Sequence, residues 1–385
     1  MAAAIRAAVL VEPGKLEIQE FPRPELQEGA LLVKPLMSGI CGTDKHGYKG
    51  EAVQYAGTPR EVNGPYPAIP GHENVAQIVE ARPPRGQRAV VDFYGDPLAE
   101  GDRVVISPDI VCGKCYWCRH SYGYTWCDNI RSYGHLVSTD PPHLFGGWSD
   151  LMYVYPESHV FKVPKGVSDQ IAVLAEPMAV SYALDIAKGQ SAMPNQGFSS
   201  ADTVVVYGVG PLGICNLIKA KLLGAGLIVA VDKSPYRLQF ARDFGAAHTL
   251  DVGSTTPARR RELVLELTGG RGADVVVECA GVPSAIVEGI EMLRQGGTFV
   301  EEGHFVDVGN IQINPHRHLC AKNIRLIGQM NLAYTGITPS MNLLAANRDR
   351  YDFDRLVTHS YHYTQSLDGL LKSMSPESMK VVIHA

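Results

Sequence analysis

Thr203-Val204-Val205-Val206-Tyr207-Gly208-Val209-Gly210-Pro211-Leu212-Gly213 decides the fold of this chain. Its first five residues read as a continuous apolar strand, and Leu212–Leu223 has helical character. Between them, Gly208, Gly210 and Gly213, with Pro211 and Leu212, fit GxGxxG. That pattern is weak alone; a buried strand before it and a helix after it give it meaning. The first glycine permits a tight turn, the second lets backbone reach a pyrophosphate, and the third lets helix and strand pack closely. The helix N-terminus adds free N–H groups and a positive dipole end. Asp232 follows 19 residues after Gly213, where a carboxylate holds the adenosine ribose hydroxyls. The same charge repels a 2′-phosphate, so NAD is expected over NADP; Lys233 and Arg237 stand nearby and soften that preference.

Outward from this stretch the rhythm of strand and helix continues. Leu227–Val231, Asp274–Glu278, Thr298–Glu301 and Ile324–Gly328 read as strands, with Tyr236–Phe244 and Ser284–Leu293 helical between them. Such alternation predicts a doubly wound parallel sheet with right-handed crossovers. The earlier half differs. Ala7–Val11, Leu31–Leu36, Val75–Val79, Arg103–Ile106 and Leu151–Tyr155 are short apolar runs broken by Gly and Pro, a β-rich rhythm. Residues 51–70 and 83–100 read as loops, and Lys380–Ile383 as a strand returning to the first domain. The expected division is 1–185 with 325–385 against 186–324. The fold class is α/β with a β-rich part.

At 385 residues, two domains are expected. A net charge of −5 gives no reason to expect nucleic acid or an anionic membrane as partner. No apolar run approaches the length of a membrane span, and the start Met1–Arg6 has no signal-peptide pattern. A cytoplasmic protein is the expectation. Without a secretory signal, disulfides explain the eight cysteines poorly.

Four scattered residues stand in contexts marked by glycine or proline: Cys41 in Gly39–Asp44, His72 and Glu73 after Gly71, and Glu176 before Pro177. A thiolate, an imidazole and carboxylates are the ligands of a catalytic zinc, which keeps one position open. Zinc together with nicotinamide points to alcohol oxidation or carbonyl reduction. Cys112, Cys115, Cys118 and Cys127 form CxxCxxC with eight residues before the fourth cysteine. Four thiolates at such spacing suit a closed structural zinc; an iron–sulfur cluster or metal-free thiols are the alternatives. Cys215, Cys279 and Cys320 are read as core residues.

With these motifs, the chain resembles the zinc-dependent medium-chain dehydrogenase/reductase family, which includes alcohol, sorbitol and threonine dehydrogenases. Gly101-Asp102-Arg103-Val104 is a further marker, and the resemblance spans nearly the whole length. It implies a GroES-like catalytic domain at both chain ends around an inserted Rossmann domain. It implies catalytic zinc on Cys41, His72 and Glu176, with Glu73 exchanging with Glu176 or water. Glu176-Pro177 is similar to the sorbitol and threonine dehydrogenase branch, whose members are commonly homo-tetramers rather than dimers. Two departures are visible: the last gap in the cysteine lobe is one residue longer than usual, and segments 51–70 and 83–100 are extended.

The resemblance also implies roles. Zinc lowers the pKa of the alcohol hydroxyl and the nicotinamide takes the hydride. Thr43 and His46 carry the released proton, and Lys380 reaches the cofactor pyrophosphate; Asp44, read from its own place beside Thr43, either orients a ligand histidine or stabilises its turn. The expected substrate is a secondary alcohol or polyol, with Tyr48, Gln54, Tyr55, Asn63 and His304 as candidate polar contacts. A ketone or aldehyde reductase using NADH or NADPH is the alternative, since hydride transfer is reversible. A non-catalytic descendant predicts lost zinc ligands or a spoiled fingerprint, and neither is present in the sequence.

Overall fold

Thr203–Tyr207 is a strand with all five residues buried, as its unbroken apolar run requires. Parallel partners flank it on both sides, Leu227–Asp232 and Ala273–Glu278. The computed structural model describes residues 4–51, 53–120, 126–189, 198–332 and 334–385. In it the six-stranded sheet runs His248–Asp251, Leu227–Asp232, Thr203–Tyr207, Ala273–Glu278, Leu293–Glu301, Arg325–Gly328. This is the 3-2-1-4-5-6 order of the Rossmann fold, parallel throughout.

Four helices of this unit, Pro211–Leu222, Pro235–Asp243, Pro257–Leu267 and Pro283–Met292, start on proline. Proline lacks only an N–H that the first turn leaves unpaired anyway. Ser234 and Thr256 cap two of them, accepting from Arg237 N and Arg259 N; each cap is worth roughly 1 kcal/mol. Val205, Val229, Val231, Val276 and Phe299 fill the core against the sheet.

The strand His248–Asp251 and the helix Pro257–Leu267 escape the sequence reading. The strand buries only Leu250, and the helix buries only Arg260 and Val264, so neither shows an apolar period. The expected boundary at 324/325 falls at the edge of the sixth strand, whose parallel pairing keeps Arg325–Gly328 with the sheet.

The chain divides into two units, Val180–Leu332 and Met1–Ala179 with Ala333–Ala385. In the second, the sheet runs Val160–Lys162, Arg103–Ile106, Glu73–Ala81, Leu31–Gly39, Lys380–His384, Val357–His362, with Met152–Val154 also on Leu31–Gly39. Lys380–His384 docks antiparallel on Leu31–Gly39, pairing Val382 with Gly39 and Ile383 with Ser38. Within segment 51–70, Val53–Gln54 and Val62–Asn63 pair as a small hairpin. Cys215 is buried, but Cys279 is half-buried and Cys320 exposed, which corrects their reading as core. Cys320 ends a helical turn, Pro315–Cys320, that buries only His318. No helix among the described residues is long and apolar enough to cross a membrane. The Met1–Ala3 start lies outside the described residues.

Candidate active site

Cys41 stands at the N-terminus of the helix Gly42–Lys49. Asp44, in the first turn and 5% exposed, reaches back with Oδ2 to accept from Cys41 N at 2.8 Å. Its Oδ1 accepts from Gly71 N at 3.2 Å and lies 3.9 Å from His72 Nδ1. One carboxylate therefore ties together the two turns that carry Cys41 and His72. Gly71 has φ +93°, and a Cβ there would run into Ser38 and Trp148. Glu73 opens the strand Glu73–Ala81 opposite Gly39. A Cβ on Gly39 would collide with the Glu73 carboxylate and the Lys380 side chain, so the glycine makes room for that pair.

Donor atoms of Cys41, His72 and Glu73 all lie within 4.8 Å of one another. Glu176, buried in the helix Ala175–Val180, is outside that set of three but close enough for its charge to act on His72. Burial alone would depress the His72 pKa, but the hydrogen bond to Cys41 and the charges of Asp44, Cys41 and Glu176 raise it to about 10. Burial and the Glu73 charge push Glu176 up to about 8, against His72 and Lys380. So many acidic groups out of water require positive charge among them. Lys380 supplies part: it is 1% exposed, ion-pairs Glu73 and donates to Ile40 O at 3.3 Å. Read from sequence as a pyrophosphate partner, Lys380 is placed here on Glu73. The sulfur, nitrogen and oxygen donors fit a zinc ion.

Thr43 and Cys41 are neighbours in this cluster, with Thr43 Oγ1 3.7 Å from Cys41 Sγ. His46, one helical turn on, pairs its Nδ1 with Glu51 at 2.8 Å. A residue outside the sequence reading stands here too: the His135 ring packs edge-on against His72, centroids 5.1 Å apart. Desolvation and the His72 charge push the His135 pKa down to about 3. Its one sequence signal is the Gly134-His135 pair, which repeats Gly71-His72 and recurs as Gly303-His304.

The cysteine lobe is built differently. Cys112, Cys115, Cys118 and Cys127 bring their sulfurs within 4.8 Å of one another. Cys112 N donates to Cys127 Sγ at 3.3 Å, and Cys115 and Cys118 sulfurs lie 3.5 Å apart. Backbone N–H groups, first that of Lys114, lower the Cys112 pKa to about 6, while burial raises Cys118 to about 12. The donor set fits a second zinc, closed by four sulfurs. Part of the long gap, residues 121–125, lies outside the described residues.

In the other unit, Gly208 has φ +80°, and a Cβ on Gly213 would strike the Gly208 carbonyl. Gly210 caps the helix Pro211–Leu222, leaving its first N–H groups open. Asp232 Oδ2 accepts from Val209 N and Oδ1 from Ser234 N, both at 2.8 Å, so this carboxylate braces the glycine turn. Lys233 is exposed, and the Arg237 guanidinium sits beside Gly210. A further cluster, absent from the sequence reading as a group, joins Glu278, Glu301 and His304. Glu278 and Glu301 are register partners at the carboxyl ends of adjacent strands, and His304 Nδ1 meets Glu301 at 2.8 Å and Glu278 at 3.4 Å. Those hydrogen bonds raise the His304 pKa to about 9.

Two family profiles match the chain: an alcohol dehydrogenase GroES-like domain over residues 27–165 and a zinc-binding dehydrogenase over residues 211–345. Among similar proteins, 5-exo-hydroxycamphor dehydrogenase of Pseudomonas putida is 31% identical over 380 residues, covering 99% of this chain and 98% of that protein. Sorbitol dehydrogenase of Halalkalibacterium halodurans is 29% identical, covering 96% of each. The crystal structure of an alcohol dehydrogenase from Thermotoga maritima superposes with a TM-score of 0.88 at 30% identity, covering 100% of both chains.

Proposed function

Because the chain belongs to the zinc-dependent medium-chain dehydrogenase/reductase family, we propose that it oxidises a secondary alcohol or polyol with NAD. The observation that carries this reading is the cluster of half-buried Cys41 with buried His72 and Glu73, donor atoms within 4.8 Å and Glu176 beside it. A zinc ion held there would supply the Lewis acid for the alcohol hydroxyl, and a nicotinamide cofactor would supply the hydride acceptor.

The chain's own residues do the rest. Cys41, His72 and Glu176 hold the ion, and Glu73 is the conditional fourth ligand that Lys380 competes for. Asp44 fixes the spacing of the Cys41 and His72 turns through its bonds to Cys41 N and Gly71 N. Thr43 Oγ1, beside the Cys41 sulfur, takes up the substrate proton as it releases its own, and His46 hands a proton on to water. Cys112, Cys115, Cys118 and Cys127 hold the structural ion. In the cofactor unit, the Gly208–Gly213 turn accepts the pyrophosphate and Asp232 the ribose hydroxyls, while Lys233 and Arg237 border the ribose. The buried Asp232 carboxylate favours NAD; Arg237 beside Gly210 is the feature that a reductase using NADPH could exploit. A cytoplasmic homo-tetramer belongs to the same reading, and light scattering of the purified protein checks the assembly.

The deciding experiment combines metal analysis with turnover. Purified protein is expected to hold one zinc for each cysteine cluster and to reduce NAD with members of a panel of polyols and secondary alcohols. Protein free of zinc that binds no NADH sinks the reading in favour of a non-catalytic descendant. Efficient turnover confined to NADPH and carbonyl substrates moves it to the reductase.

A further inference from the structure

His135 is fixed against His72 by backbone on both sides. Tyr133 is fully buried, takes Tyr155 N at 2.8 Å on its hydroxyl and lies 2.6 Å from Ser158 Oγ. Tyr133 N donates to Pro108 O at 2.9 Å, Gly134 N to Phe145 O at 2.9 Å and Leu136 N to Ser132 O at 3.0 Å. Gly134, at φ +81°, lies so close that a Cβ there would come 2.9 Å from the Gly71 carbonyl carbon. The turn before His72 and the turn before His135 thus pack backbone on backbone. Rotation of the His135 ring is restrained by its own bond, Nδ1 to Tyr133 O at 3.0 Å.

That bond also decides the chemistry of the ring. A carbonyl oxygen only accepts, so Nδ1 carries the hydrogen, and in the neutral ring Nε2 presents a lone pair. Among the described residues Nε2 makes no hydrogen bond, and the side chain is half-buried rather than sealed. The ring thus keeps an acceptor open while its centroid lies 5.1 Å from that of His72 in the metal cluster.

We propose that His135 is a substrate-recognition residue whose Nε2 accepts a hydrogen bond from a second hydroxyl next to the reacting carbinol, selecting vicinal diols and polyols over simple alcohols. This rests on the dehydrogenase reading above and goes beyond it by naming the group that reads the neighbouring carbon. A site built to pair with a hydroxyl rejects an analogue lacking it, because its own polar group is left without a partner.

The test compares 2,3-butanediol with 2-butanol in the zinc-loaded wild type, His135→Leu and His135→Gln. Wild type is expected to favour the diol in kcat/KM. His135→Leu is expected to lower that ratio roughly 10- to 100-fold, and His135→Gln, which keeps an acceptor, to restore part of it. Calorimetric titration of the diol into the zinc-loaded protein without nicotinamide should show the same weakening in His135→Leu. An unchanged ratio, an equal loss for both alcohols, or no diol preference in wild type overturns the role of His135 while leaving the dehydrogenase intact. Loss of zinc from His135→Leu overturns it as well, by making the residue a support of the metal cluster. Failure of the underlying reading looks different: wild type then oxidises neither alcohol and holds no zinc.

Discussion

The two cysteine clusters of this protein are built on opposite plans. The lobe at residues 112–127 gathers four thiols of one kind from one short stretch, three of them only partly buried. The cluster around Cys41 gathers a thiol, an imidazole and carboxylates from distant stretches, with His72, Glu73 and Glu176 each at least nine-tenths buried. A local, single-donor cluster can close on an ion by itself and needs little from the rest of the fold. A scattered, mixed cluster exists only once the sheet has formed, and its uneven charges leave room for chemistry. On the proposed function, that difference separates a cluster that reacts from one that holds.

Removing Cys41 puts the greatest strain on this contrast. Cys41→Ala is expected to lose one zinc and several kcal/mol of transition-state stabilisation, roughly a thousand-fold or more in kcat/KM. NADH binding followed by fluorescence should persist; turnover that survives without the metal breaks the distinction. Next comes the buried counter-ion. Lys380→Met removes the buried ammonium partner of the Glu73 carboxylate, and is expected to cost about 3–5 kcal/mol in urea unfolding. Adding Glu73→Gln should recover much of that loss, and a purely additive double variant would show that the pair is not coupled.

Cys112→Ser should release the other zinc and weaken the lobe by about 2 kcal/mol or more, seen as faster proteolysis near residue 120. Turnover per folded chain should fall far less than for Cys41→Ala; an equal fall removes the division between reacting and holding clusters. The smallest effect comes from Glu278, Glu301 and His304, which hold charge in balance with no thiol at all. The raised His304 pKa of about 9 lies above the ordinary 6.5. Its stabilisation is therefore complete below about pH 6.5 and is lost as pH rises through 9. After solvent screening this amounts to about 1 kcal/mol. Melting temperatures measured across that window should decline in wild type and stay flatter in His304→Gln.

Legibility in the sequence followed the same divide. Thr203–Tyr207 and its glycine turn were plain because strand, turn and helix are contiguous. The four lobe cysteines were plain because their spacing is local. Cys41, His72 and Glu176 could be singled out by their glycine and proline neighbours, though nothing in the sequence places Lys380 on Glu73. That contact depends on Lys380–His384 docking beside Leu31–Gly39, a pairing between the two ends of the described chain. His135 was silent for a related reason: its partner is His72, and the backbone packing of Gly134 on Gly71 joins them through space alone. Glu278 and Glu301 look like ordinary strand-end acids until register sets them side by side.

The docking of Lys380–His384 on Leu31–Gly39 gives assembly of the molecule an order in time. All six strands of the cofactor sheet, from Thr203 to Gly328, have been synthesised before Lys380 exists. Glu73 therefore waits through the synthesis of the whole cofactor unit for its ammonium partner. Until that last strand arrives, the buried acids around Cys41 lack one of the cations that make their burial affordable. The charge balance of this cluster is therefore complete only once Lys380–His384 has joined Leu31–Gly39.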